Sequence, residues 1–308
     1  MPIFEIGYPI LKTMLVVILL FFIAECIRKF IDIPFKRRIR TVETVEDSLR
    51  IRRRLRIVRS VVTFALIILL VVISAYLGLK YGYGHDLDLL KLVGAYAIVS
   101  GFRELKGNVQ NSTLSDYLAK HPVFSVYLRA FDADYYSSSP GSKAFEDVFT
   151  TRLKKKGVNV CAVGMTREVD APYGAARVYL SDETWQQGVK ELLNRAEFIF
   201  ILVSDRESCI WEIRQCLPIL NKVCFVVNDI EKYDHVRGQL EDIVPLPNLY
   251  VSQEEQTKKK KKKTMKNPSL AIVFDDNGTP TVLPVDESLD TFTRSLFSMG
   301  KIKAKGKK

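Results

Sequence analysis

Residues 60–79 read SVVTFALIILLVVISAYLGL, twenty positions without a charged side chain. A helix of that length covers the roughly 30 Å hydrocarbon layer of a bilayer, and ordinary surface helices are not apolar all round for so long. The run predicts a membrane span, and it constrains how the rest of the chain can be arranged. A second run, ILKTMLVVILLFFIAECI at 10–27, predicts another span, with Lys12 placed to snorkel at one end. It lacks the basic leader and small-residue cleavage pattern of a secretory signal peptide.

Between the two runs lie ten Lys and Arg residues from Lys36 to Arg59. The positive-inside rule places this basic loop, 36–59, in the cytoplasm. Two spans alone would then put the C-terminal domain outside, against its lysine-rich end and its unpaired cysteines. A third, weaker span at 87–102, LDLLKLVGAYAIVSGF, resolves the conflict. The alternative is two spans with 87–102 lying in the interface as a helix. Residues 1–105 are accordingly read as a membrane domain of two or three transmembrane helices, and 106–121 as a polar linker. Membrane lipids are the first expected partner, and the localisation implied is an inner membrane with the C-terminal domain in the cytoplasm. The arginines have a plain reading as orientation signals that touch anionic head groups. They lack the aromatic interleaving or recognised fold that would argue for nucleic acid, and none is predicted as a partner.

From 122 to 252 the pattern changes. Apolar strands at 123–129, 157–164, 176–180, 197–203 and 222–227 alternate with amphipathic helices at 142–156, 182–196 and 205–217, and a weaker one at 232–242. Asp182 is placed to cap the second of these helices. This alternation predicts an α/β fold, a parallel sheet covered on both faces. In such sheets ligands bind beyond the C-terminal strand ends. Residues 253–308 hold a run of six lysines (258–263), which self-repels and is expected to be solvated, then a hairpin turning at Asp276-Asn277-Gly278, a closing helix and a basic tail.

The chain has five cysteines and three histidines in 308 residues, with a formal charge of +11. No cysteine pair has CxxC spacing and no histidine lies near a second ligand, so no metal site is predicted. Reduced, mostly buried thiols fit a cytosol-facing domain. Phosphate-loop, dinucleotide, serine-hydrolase and zincin signatures are all missing from the sequence. What remains is carboxylate and arginine chemistry at the strand ends. After the first strand, Arg129 offers a fork for phosphate or carboxylate, with Asp132 and Asp134 as acceptors; the same residues also suit a salt-linked surface loop. The long loop after the second strand, Gly164 to Tyr173, is a further candidate. After the fourth strand, ILVSDRESCIWEIRQC, Ser204 and Glu207 have capping-box spacing. Cys209, Ile210, Ile213, Cys216 and Leu217 share the face that must be buried. Trp211 falls opposite and Glu212 on the flank, where it could border the cleft as a partly desolvated carboxylate; the plain alternative is a surface acid early in a helix. Pro218 is expected to end or kink that helix.

These residues resemble a divergent Toll/interleukin-1 receptor (TIR) domain over about 122–245. Ser204 follows an apolar strand, Cys209 and Glu212 keep the C-x-x-E spacing, and Ile213 stands where the family has Leu. VYLRAFDAD is similar to the first strand and its acidic loop, FEDVFTTRLKKKGVNV to the next helix and strand. The sequence departs from the family where Ser208 takes the place of Trp, with Trp211 three positions later, and where Arg129 replaces a strand-end Ser. YLR-x-F and GAARVY also resemble segments of bacterial membrane proteins of two or three spans. The resemblance implies a flavodoxin-like sheet in a signalling or bacterial-defence module. Such a module would self-associate as a homo-oligomer or bind a nucleotide ligand, with Ser204 and Trp211 beside the ligand. It also implies an alternative, cleavage of NAD as substrate by a catalytic Glu212 stabilising an oxocarbenium-like ribosyl centre. No resident cofactor is implied.

Overall fold

The computed structural model describes residues 22, 26–27, 29–81, 111–129, 145–168, 174–249, 269–285 and 289–302. The predicted span at 10–27 (three residues excepted), the third span, Asp132, Asp134, the lysine run and the basic tail beyond Ile302 lie outside them. The chain divides into two units, Met1–Asn108 with Thr166–Val169, and Val109–Met165 with Asp170–Lys308.

In the first unit the predicted basic loop is helical. Residues 29–41 form one arm of a helical hairpin and α1, Val45–Tyr81, the other. Helix-favouring Arg and Leu fill 49–59, so the positive charges project from helices instead of a loop. Thr44 caps α1, its Oγ1 accepting from the Asp47 N–H (3.2 Å) and donating to Asp47 Oδ2 (3.0 Å), a Thr-x-x-Asp variant of the capping box. Arg59 grips Asp32 with two nitrogens, at 2.7 and 2.5 Å, and joins the arms. Ser48, Arg52 and Leu55 are buried with Ile39. Ser48 Oγ donates to the Thr166 carbonyl (2.7 Å), while Arg52 donates to Ser48 Oγ (3.1 Å) and to the Thr166 (3.4 Å) and Glu168 carbonyls. Part of the loop expected to face a ligand after the second strand is thus tied to the hairpin. Among the described residues no helix is long and apolar enough to cross a membrane. Within α1, side chains beyond Val72 are not among those described.

The second unit is one eight-stranded sheet. Its strands are β1 (Asn111–Ser112), β2 (Ser125–Leu128), β3 (Val160–Met165), β4 (Ala176–Leu180), β5 (Phe198–Leu202), β6 (Val223–Val227), β7 (Ser269–Phe274) and β8 (Pro280–Val285). The order is β1-β4-β3-β2-β5-β6-β7-β8, parallel except for the last two strands. The helices are α2 (Leu114–Lys120), α3 (Phe145–Lys155), α4 (Trp185–Arg195), α5 (Glu207–Cys216), α6 (Ile230–Leu240) and α7 (Asp290–Ser298). Each central strand is apolar on both faces because both are covered. Val126, Leu128, Ile199 and Ile201 pack with α2, α4, α5 and α6; Tyr127, Phe198 and Phe200 pack with α3 and α7. Phe149 of α3 stands edge-on to Phe200 (4.9 Å) and lies 6.0 Å from Phe292 of α7, so one ring ties both helices to the second face.

Two expectations change. Counting the five main parallel strands from β2, their order is 3-2-1-4-5, not the 2-1-3-4-5 of flavodoxin-like sheets that the resemblance implies. Both orders bury the same apolar strands, so hydrophobic patterning cannot separate them. Here β4 pairs outside β3 and its far edge is closed by β1. β1 and α2 arise within the stretch expected to be a linker, and Tyr117 of α2 is buried edge-on to Phe124. The C-terminal hairpin forms as expected and extends the sheet from β6. Asp275 Oδ1 accepts the Asn277 and Thr279 N–H groups at 2.9 and 2.7 Å, and Gly278 takes the positive φ (77°) that the turn requires.

Candidate functional site

In a sheet of this order the strand order reverses between the parallel neighbours β2 and β5, and the loops leaving these two strands flank the usual ligand crevice. Arg129 follows β2 and Ser204 follows β5. After β5 the chain stays extended, the Val203 N–H bonding to the Val226 carbonyl (2.9 Å). The expected capping box does not form. α5 starts at Glu207 with Arg206 as its N-cap and no side-chain cap bond, while the buried Ser204 turns its hydroxyl to Asp205 Oδ1 (3.4 Å). Continued strand pairing holds Ser204 three residues short of the helix. Asp182 likewise caps nothing; Thr184 is the N-cap of α4, again without a side-chain bond.

Along α5 the predicted face is buried: Cys209, Ile210, Ile213 and Cys216. The helix ends at Cys216 and passes into a 3₁₀ turn, Leu217–Lys222, with Pro218 near its start. Glu212 departs from expectation. It is 7% exposed and sits close enough to Cys209 and Cys216 for its charge to bear on both thiols. No hydrogen bond or ion pair to its carboxylate occurs among the described residues. Desolvation pushes its pKa from 4.5 to about 8. Burial also pushes Cys209 and Cys216 up to about 12, so both thiols stay neutral. Spacing alone gives α5 one covered face; α4 covers a second. Trp211, expected opposite the core, stands edge-on to Trp185 of α4 (4.9 Å, 64°) with Lys190 Nζ 5.7 Å from its ring centre.

Arg129 is also turned inward. Its Nε donates to Glu146 Oε2 (2.6 Å), and Arg177 Nη2 approaches Glu146 Oε1 (2.7 Å). All three are buried. Glu146 lies in the first turn of α3, where the helix dipole favours an acid. The cluster ties β2, α3 and β4 together at the ligand end of the second face. Breaking such a buried pair costs about 3–5 kcal/mol, because a desolvated charge is left behind. Sequence reasoning passed over Glu146 as one acid of an amphipathic helix and Arg177 as part of a short strand. An arginine flanked by Ala176, Val178 and Leu180 was the available signal.

A groove of about 490 Å³ opens beside α5, lined by Asp205, Glu207, Ile210, Trp211, Arg214, His235 and Gln239. Of the predicted residues only Trp211 lines it. Glu212, Ser204 and Arg129 do not, and Asp132 and Asp134 lie outside the described residues. The groove carries two acids near the helix start, an arginine and a histidine farther along, and one indole edge. That mixture suits an amphipathic ligand or a protein surface better than a desolvated reaction centre. No group of three or more His, Cys, Asp or Glu placed to hold a metal occurs among the described residues. Comparison with family models, with curated proteins and with solved structures returns no match.

Proposed function

We propose that this chain is a membrane-attached signalling or defence module whose α/β domain, TIR-like in its α5 motif, self-associates or binds a nucleotide without cleaving it. The placement of Glu212 carries the preference over cleavage. A catalytic carboxylate must touch the reacting sugar, and this one lies among Cys209 and Cys216, apart from the groove. Attachment to the bacterial inner membrane, with the α/β domain on the cytoplasmic side, rests on the apolar run at 60–79 and the basic hairpin preceding it. Cleavage of NAD by Glu212 stands as the second reading on its Cys209-x-x-Glu212 spacing alone; a carboxyl held near pKa 8 carries a proton at neutral pH and would have to ionise before it could stabilise an oxocarbenium-like centre.

The test uses the full chain in detergent. Sedimentation at several protein concentrations reads self-association, calorimetry with NAD and ADP-ribose reads binding, and chromatography reads released nicotinamide. We expect association or saturable binding with no nicotinamide. Release that vanishes in Glu212→Gln would establish the enzyme instead. Absence of association, binding and release together would sink both readings.

A further inference from the structure

α1 sorts its side chains by direction. One face, carrying Ser48, Arg52, Leu55 and Arg59, turns toward the other arm of the hairpin or toward the 166–168 carbonyls. Successive positions 100° apart put Arg50, Arg53, Arg54, Ile57, Val61, Phe64, Ile68 and Val72 on the opposite face, within about a third of the circumference. All of these are exposed. From Arg50 this outward face is arginine up to Arg54 and apolar from Ile57 onward, with the exposed Glu46 one turn before Arg50. The other arm changes at the same level. The Asp32–Arg59 pair fixes the register, so exposed Phe30 and Ile33 lie at about the level of Ile57 and Val61, and exposed Arg37 and Arg38 at that of Arg54 and Arg53, each arm turning its own set outward. Arg37, Arg38, Arg40, Arg53 and Arg54 have no ion pair among the described residues. Of the acids in this stretch, Asp47 takes Arg50 (3.1 Å), and Glu43 and Glu46 are exposed.

Five outward guanidiniums without an ion pair among the described residues form one axial band around the hairpin, which favours anions at that level, and the band borders directly on exposed hydrocarbon. Planar guanidinium forks match phosphate oxygens in pairs. We propose that this collar binds the phosphate head groups of anionic phospholipids, with the apolar band above it among the acyl chains. The inference rests on the membrane-attachment reading and adds a preferred lipid to it. A nucleic acid would supply phosphates but leaves Phe30, Ile33, Ile57 and Phe64 facing water.

The full chain is reconstituted into phosphatidylcholine nanodiscs containing a trace of spin-labelled phosphatidylglycerol or spin-labelled phosphatidylcholine. Electron paramagnetic resonance then reports the lipid immobilised by the protein. The anionic label should be enriched several-fold over the choline label. Enrichment should fall toward unity in Arg37→Gln/Arg38→Gln/Arg53→Gln/Arg54→Gln and at high salt, while Arg195→Gln leaves it unchanged. Circular dichroism checks that the variant remains folded; should it not, the salt arm alone decides. Equal immobilisation of both labels, or enrichment untouched by the four substitutions or by salt, overturns the collar and leaves membrane attachment standing. Failure of the chain to enter the discs overturns attachment and the collar with it. Release of the collar's lipid by RNA, with the arginines needed for the RNA, assigns it to nucleic acid and overturns the proposal.

Discussion

Glu212 shows how much a single side chain depends on its neighbours. Its carboxyl would titrate at 4.5 in the unfolded chain and at about 8 when folded. Between those values the folded state keeps a proton that the unfolded state releases, so folding stability should fall as pH rises. The slope is at most about 1.4 kcal/mol per pH unit. Its contribution is full below pH 4.5, lost as pH rises through 8, and constant above. Urea unfolding of the sheet unit's signal in the intact chain, followed from pH 5 to pH 8, should show this decline, and Glu212→Gln should flatten it. An unchanged slope in the variant would mean that the carboxyl reaches water. Glu212 was legible in the sequence as the acid worth examining, through Cys209-x-x-Glu212. Its burial was not, because spacing shows one covered face, whereas α5 also packs against α4, Trp185 meeting Trp211 across a sequence gap that periodicity does not span.

Elements are predicted well where local chemistry decides them. The hairpin at 269–285 follows from Asp275 and Gly278, and the end of α5 follows from Pro218. The start of α5 shows the opposite case, since pairing of Val203 with Val226 overrides the Ser204–Glu207 spacing. A glycine at the start of β4 depends on both levels. Gly174 has φ +116°, and a methyl group added there would stand 2.1 Å from Thr150 Oγ1 and 3.3 Å from the Asp147 backbone. Thr150 cannot easily yield, because its hydroxyl donates to the Glu146 carbonyl (2.7 Å) in the turn that holds the Arg129–Glu146–Arg177 cluster. Gly174→Ala should therefore destabilise the sheet unit by roughly 2 kcal/mol or more, combining backbone strain with overpacking. The midpoint of denaturant unfolding measures it. A loss below half of that would show that α3 can shift away from the strand.

At the scale of the whole molecule, the apolar run at 60–79 and the charge block at 36–59 make a prediction that needs no side-chain contact. A reporter fused after Lys308 should be active on the cytoplasmic side, and its inactivity there would overturn the three-span arrangement. Sequence by itself determined the strands and helices from β2 onward, that the sheet is mostly parallel and covered on both faces, and that one helix carries an unbroken apolar half. Those properties follow from period, run length and turn residues, which act between near neighbours. Only the tertiary structure decided the strand order, the helical form of the basic segment's two arms, the inward turn of Arg129 and Glu212, and the pairing of Glu146 with two distant arginines. Each of these depends on which surfaces meet, and surfaces that meet across thirty residues are chosen by packing and desolvation, which no local pattern records.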